Sequence, residues 1–295
     1  MLDRASTFAD PEIVQLLQTR FVPVAIDQAY QRRQKDTEGE FYRKIAGQGP
    51  RDNFNGTTQG LYIATPGGKL LSYNNNRGAD RIKRLMQEAL EAPQADDVVS
   101  VSKREFDARY NPRPPEGGLV VRVRAKVLGG YEETTDRWKQ IFQSAMSRDN
   151  LWISKSEHQA LARGDVPASL QRRIARFHLV DNTRGEPPMW DDKEVRHVAM
   201  EISEGKLTGK VHLETDNGRR GYKAELLGDV SVEAGKVVRF DIVALGDFWG
   251  DGRYTGGAPK GKFPLGISFT LADGSDVADR IPPQASRGWV AGYIR

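Results

Sequence analysis

Apolar residues recur along this chain with two periods, one helical and one of strand type. Between residues 79 and 91 they fall at Ile82, Leu85, Met86, Ala89 and Leu90. That i, i+3, i+4, i+7, i+8 spacing predicts a helix with one apolar stripe to lay on a sheet. Nearer the start, Asp10-Pro11 predicts another helix, because the carboxylate caps free amides and the fixed proline φ suits a first turn. Ile13, Val14 and Leu17 then share a face as far as about Arg20. FVPVAID, residues 21–27, reads as a strand, and Pro23, which has no N–H to donate, places it at a sheet edge or beside a bulge. Residues 28–47 are polar, with Phe41, Tyr42 and Ile45 as helical anchors. GLYIATP, the Gly67-Gly68 turn and KLLSY then predict a β-hairpin.

The texture changes after residue 93. Residues 94–118, ending in NPRPPEGG, predict a linker, and LVVRVRAKV (119–127) a strand. A helical insertion is expected at about 133–178, where Ser154 and Glu157 have capping-box spacing and Pro167 opens a helix through LQRRIARF. From 194 onward VRHVAMEI, LTGKVHLET, RGYKAELL, VVRFDIVAL, KFPLGISFTLA and GWVAGYI alternate with turn signals. The pattern predicts an α/β domain over 1–93 and a larger, mainly β domain over 119–295, closed as an antiparallel barrel or sandwich.

The order helix, strand, helix, strand, hairpin strand, helix over residues 8–93 resembles the thioredoxin-like superfamily. FADPEIVQLLQTRFVPVAID (8–27) resembles the branch in which a C-x-x-C run precedes a helix and an edge strand, and TTQGLYIATPGGKLLSY (57–73) resembles the later hairpin. The resemblance covers roughly a third of the chain. Two departures accompany it. The chain has no cysteine, and Met1 falls within the helix that follows the family's active site, so the first strand and the dithiol are both missing. The residue before the family's hairpin strand is a cis-proline that presents backbone groups to a thiol substrate, and here the equivalent loop is Thr57-Thr58-Gln59.

Two functions are therefore expected. One is a non-catalytic thioredoxin-fold binding or scaffold protein, with Thr57, Thr58 and Gln59 as its recognition loop. The other is a thiol or selenol oxidoreductase whose catalytic N-terminal segment lies upstream of Met1. The missing strand would leave two strands without a shared neighbour and a sheet edge able to pair with a second copy, which predicts a homodimer.

Composition narrows the partners. With 44 basic and 40 acidic residues and no block of like charge, nucleic acid is not implied, and no apolar run reaches membrane-spanning length. The protein or small-molecule ligand stays unspecified. The charged start MLDRASTFAD predicts a cytoplasmic location as written, and a periplasmic or secreted one if translation begins upstream.

Four clusters have residues suited to chemistry. A two-residue turn at Glu204-Gly205 would set His197 opposite His212, with Glu201 and Glu214 on the same face. Two imidazoles and a carboxylate (His197, His212, Glu214) suit Zn²⁺, although Val198, Met200, Ile202, Val211 and Leu213 form the apolar face, which makes the opposite one, with these residues, the solvated face; no other cofactor is expected. FHLVDNTRGEPPMW (177–190) gathers His178, Asp181, Arg184 and Glu186, to bind an acidic group, for acid-base chemistry, or as a salt-bridged connector. GDFWGDGRYTGGAPKG (246–261) lacks the context of a dinucleotide fingerprint; Phe248, Trp249 and Tyr254 would form a lid over a barrel mouth, or an ordinary hairpin loop. No G-x-S-x-G occurs, so a hydrolase triad has no support.

Overall fold

A computed structural model describes residues 3, 5–93, 100–287 and 289–294, which divide into two compact units. The first spans Asp3–Arg113 and takes in described residues of 287–290; the second spans Pro114–Ser286 and takes in 291–294.

In the first unit Asp10 caps α1 (Pro11–Thr19), accepting from the amides of Glu12 and Ile13 at 3.0 and 3.2 Å. Asp27 caps the single turn α2 (Gln28–Gln31), and Asp36 caps α3 (Thr37–Ala46). Strands β1 (Leu61–Ala64) and β2 (Leu70–Asn74) form the expected hairpin, and α4 (Ala79–Glu91) follows on the expected stripe. The core is small: Ile13, Ala79, Ile82 and Met86 are buried, ringed by partly buried hydrophobics that include Phe21, Leu61 and Ile63.

The strand expected at 21–27 does not form. The segment has no regular structure, and Val22 and Val24 are 89% and 76% exposed. Propensity alone does not make a strand, because its amides and carbonyls need a neighbouring ladder. The sheet of this unit thus has two strands, fewer than the resemblance implies. The second half of the expected linker is not free chain: Lys35 N donates to Asp107, Asp107 N donates to Asp36, and Arg104 pairs with Glu40 at 2.7 Å. Residues 94–99 of that linker lie outside the described residues.

The second unit is built on one curled, seven-stranded antiparallel sheet, a half-barrel. Its strands are β3 (Leu119–Val127), β4 (Asp149–Ile153), β5 (Val195–Ser203), β6 (Lys206–Glu214), β7 (Gly221–Glu233), β8 (Lys236–Trp249) and β9 (Lys262–Leu271). Their order across the sheet is β4-β3-β9-β8-β7-β6-β5, so the two edge strands do not pair and the expected barrel stays open. Strict alternation along β7 to β9 buries Tyr222, Ala224, Leu226, Phe240, Ile242, Ala244, Phe263, Leu265, Ile267 and Phe269 on one face. Where β7 and β8 approach, Gly246 lies opposite Ala224, and a Cβ added to it would sit 2.0 Å from the Lys223 carbonyl oxygen. Gly246→Ala is therefore expected to cost about 2 kcal/mol, read as a lower urea midpoint with an unchanged slope.

The helical insertion is interrupted by β4, which the sequence pattern does not announce because DNLWI has too few positions to show a period. Around it lie α5 (Arg137–Ser144), α6 (Lys155–Ala162) and α7 (Ala168–Arg173). The capping box at Ser154 and Glu157 forms as expected. GWVAGYI is not a strand: Val290–Ile294 form a short helix, α8.

Candidate functional site

The densest set of buried polar side chains in the second unit gathers where α7 loosens into a π-turn at Ile174–His178. Its backbone bond runs from Leu179 N to the Ile174 carbonyl at 3.0 Å. Such turns often mark functional positions, since they re-aim side chains within a helix. Here the flanking residues Arg173 and His178 are both 2% exposed.

Arg173 is saturated. It grips Glu157 with two bonds of 2.7 and 2.9 Å, donates to the Tyr293 carbonyl at 2.7 Å and the Trp152 carbonyl at 3.3 Å, and also bonds the Ile294 carbonyl. Burial alone would raise the Glu157 carboxyl, but Arg173, with Ser154 and Ser169, holds it below the usual range. One guanidinium thus ties α6, β4 and α8 together.

His178 lies beside it. Its Nε2 is 2.6 Å from the Tyr293 hydroxyl, and its Nδ1 is 3.3 Å from an Asp149 carboxylate oxygen, too poorly aligned to count as a hydrogen bond. Burial pushes the Tyr293 phenol well above its ordinary value, so it stays protonated and can donate to Nε2. A carboxylate, an imidazole and a phenol side by side are the groups of a proton relay, but only the imidazole–phenol link is a hydrogen bond here. Chemistry would need a substrate beside it, and the His178 side chain is fully enclosed.

The rest of FHLVDNTRGEPPMW forms a second network. Arg184 pairs with Asp181, donates to Tyr131 Oη at 3.0 Å and to the Thr255 carbonyl at 3.1 Å, and Asp181 also accepts from the Thr183 hydroxyl at 2.7 Å. Gly185 is required here because a Cβ would sit 2.0 Å from the Tyr254 carbonyl oxygen. Arg220 covers the far end, its guanidinium 3.9 Å from the Trp190 ring centroid. His178 and the Asp181–Arg184 pair thus serve separate networks. Tyr131 also lines an open cleft of about 280 Å³ with Leu128, Gly130, Glu132 and Gln143.

The other expected residues fall as follows. Phe248 and Trp249 belong to β8 rather than to a loop: Phe248 is buried against Trp190, Tyr222 and Phe263, and Trp249 donates to the Gly218 carbonyl at 2.9 Å. Tyr254 alone of the three is exposed, and the segment around it is fastened to Arg184 and Gly185. His197 does face His212 across the Glu204-Gly205 turn, and His212 Nε2 lies 2.7 Å from Glu214. No group of three or more His, Cys, Asp or Glu that could hold a metal ion occurs among the described residues. His158 is structural, with Nε2 accepting from Val237 N at 3.1 Å and Nδ1 3.0 Å from the Gly117 carbonyl.

In the first unit Thr58 is wholly buried. Its amide and hydroxyl both reach Gln28 Oε1 at 3.1 Å, its hydroxyl accepts from Tyr42 at 2.7 Å, and its carbonyl accepts from Tyr62 at 2.7 Å. Thr57 accepts from Gln59 N at 3.3 Å and the Gln59 carbonyl accepts from Tyr73 at 2.8 Å. These peptide bonds are all trans. The loop is thus committed to internal bonds, whereas residues 21–26 belong to no helix or strand and β1 has a neighbour, β2, on one side.

Among the described residues no helix is long and apolar enough to cross a membrane. Compared with known proteins, the chain matches no family model, no curated protein and no solved structure.

Proposed function

We propose that this chain is a non-catalytic binding or scaffold protein whose first unit, on a thioredoxin-like frame, takes up an extended apolar segment of a partner. The observation that carries the reading is the run Phe21–Ile26. It is apolar, belongs to no helix or strand and lies outside any ladder, and Phe21 borders the same apolar cluster as Leu61 and Ile63 of the open-edged β1. An added strand would satisfy backbone groups and cover apolar surface together, the mode in which ladder bonds supply affinity and alternate side chains supply selectivity. The full enclosure of His178 supports a structural role for the polar networks of the second unit.

Selection of random twelve-residue peptides displayed on phage tests this. Enriched peptides should alternate apolar and polar residues and lose binding at least about tenfold to a Val22→Asp/Val24→Asp variant. Both positions are exposed, so the variant should unfold at the same temperature as the parent. Enriched peptides that bind the variant equally well would sink the reading.

The second reading, a thiol or selenol oxidoreductase whose reactive segment lies on upstream polypeptide, is favoured by the same unpaired run, which leaves a place for one more strand. Insulin reduction by an upstream-extended chain tests it. Activity that survives removal of every added thiol or selenol would contradict it.

A further inference from the structure

Asparagine is followed by glycine at two places in the chain, Asn55-Gly56 and Asn217-Gly218. In such a pair the backbone nitrogen of the glycine can reach the asparagine side chain, because no Cβ obstructs the approach. The two turns share their backbone bond: Gly56 N donates to the Asn53 carbonyl at 3.0 Å and Gly218 N to the Thr215 carbonyl at 2.9 Å. Both asparagines are exposed.

They differ at the side chain. Asn217 Oδ1 accepts from the Thr215 hydroxyl at 2.9 Å and from Arg219 N at 3.0 Å, in the connection between β6 and β7. The Asn55 side chain has no hydrogen-bond partner among the described residues, and its loop, between α3 and β1, belongs to no helix or strand. The glycines differ as well. Gly218 has a φ of 67°, in the left-handed region, so its turn favours glycine. Gly56 lies outside that region, and a Cβ added to it would meet only the Asn53 carbonyl oxygen at 3.5 Å, an ordinary contact. The backbone therefore calls for glycine after Asn217 but not after Asn55.

We propose that Asn55-Gly56 is a self-modifying site, at which the side-chain amide is exchanged for a carboxylate without an enzyme. The Gly56 nitrogen gives its proton to solvent and bonds to Asn55 Cγ. The Cγ–Nδ2 bond breaks, the nitrogen leaves as ammonia, and a cyclic imide closes. Water then opens the ring. Attack at Cγ gives aspartate, and attack at the Asn55 main-chain carbonyl carbon gives isoaspartate, with the chain rerouted through Cβ and Cγ. One water is consumed and one ammonia released, with no change of oxidation state. Two local bonds must open first, Gly56 N to the Asn53 carbonyl and Asn55 N to Asn53 Oδ1 at 3.1 Å, and loop bonds of this kind open readily. The new anion arises one residue from the Gly56 carbonyl, to which Arg32 donates. Arg32 also donates to Gln28 Oε1 at 3.1 Å and has no acidic partner among the described residues, so the charge change falls beside a guanidinium without a counter-ion.

The test holds the full chain for weeks in mildly alkaline buffer at body temperature and follows its tryptic peptides 52–69 and 211–219 by mass spectrometry. Peptide 52–69 should gain about 1 Da, with isoaspartate at position 55 among the products. It should do so at least about tenfold faster than 211–219, since two side-chain bonds hold Asn217. In urea those bonds are gone, and the two rates should come within about threefold of each other. Gly56→Ala should slow the reaction at least about tenfold, by obstructing the attacking nitrogen, and should unfold at the same temperature as the parent. An Asn55 that stays intact, aspartate without isoaspartate, equal rates in the folded chain, a difference that persists in urea, or a Gly56→Ala variant that converts as fast as the parent would each overturn the proposal.

Discussion

Arg173→Ala is expected to destabilise the second unit by about 3–5 kcal/mol, the largest effect of any single substitution argued for this chain. The guanidinium is 1% exposed and the Glu157 carboxylate 6%. Truncation strands a buried anion and frees the carbonyls of Trp152, Tyr293 and Ile294. An Arg173→Met/Glu157→Leu double variant should recover most of the loss, because it removes the anion that the single change abandons. Urea unfolding gives the first number, and faster proteolysis at the C-terminal end should accompany it as α8 loses its anchor. A loss below about 1 kcal/mol would show that water reaches Glu157.

The same pair sets an acid limit. The folded-state pKa of Glu157 lies below its ordinary value of about 4.3, so its contribution is fully present above that value and is lost as pH falls through the folded one. Stability should therefore fall on acidification below about pH 4.3, and Glu157→Gln should flatten that fall. An identical slope in the variant would place the acid sensitivity elsewhere.

Asp279→Ala should be the next most damaging change, at about 3 kcal/mol. Asp279 is 4% exposed and holds two arginines: Arg122 through Nε and Nη2, both at 2.8 Å, and Arg148 through Nη2 at 2.8 Å. Asp273 and Asp276 flank the same pair, at 2.5 Å from Arg122 and 2.6 Å from Arg148. Ser275 and Arg122 hold the Asp273 carboxyl down to about 2, so this outer carboxylate stays ionised. Removing the central one takes away the only carboxylate among the described residues that bonds both arginines, and leaves the loop Asp273–Ile281 held to Arg122 of β3 through the exposed Asp273 alone. Asp273→Ala at the rim should cost less than about 1 kcal/mol. Equal losses at the two positions would refute the bridging role of Asp279.

The elements that could be read from sequence are those whose signal is local. The stripe of α4, the caps of α1 and α6, and the register at Glu204-Gly205 each depend on residues within a few positions of one another. FVPVAID misled because a strand is defined by its partner, and its residues carry no statement of whether one is present. GWVAGYI misled for a related reason, since a five-residue helix held by Arg173 and His178 needs no helical period of its own. The buried networks were half legible. His178, Asp181 and Arg184 stood out as a cluster, but Asp149 and Tyr293 are distant in sequence and carry no motif. The one available signal for Arg173 was its place between Leu170 and Ile174, both buried, where a lone cation on an apolar face needs a buried acid.

The order of strands has a consequence for how the chain is made. Strands β5 to β9 form a simple meander, each pairing with the next, whereas β3 pairs with β9 across about 140 residues. On a ribosome adding roughly 5 to 20 residues per second, β3 emerges some 7 to 28 s before its partner exists. Throughout that interval one edge of the β3–β4 hairpin, lined by Val121, Val123 and Ala125, has nothing to bond. The nascent second unit must therefore wait with its first strand open, and the meander's last strand, not its first, completes the sheet.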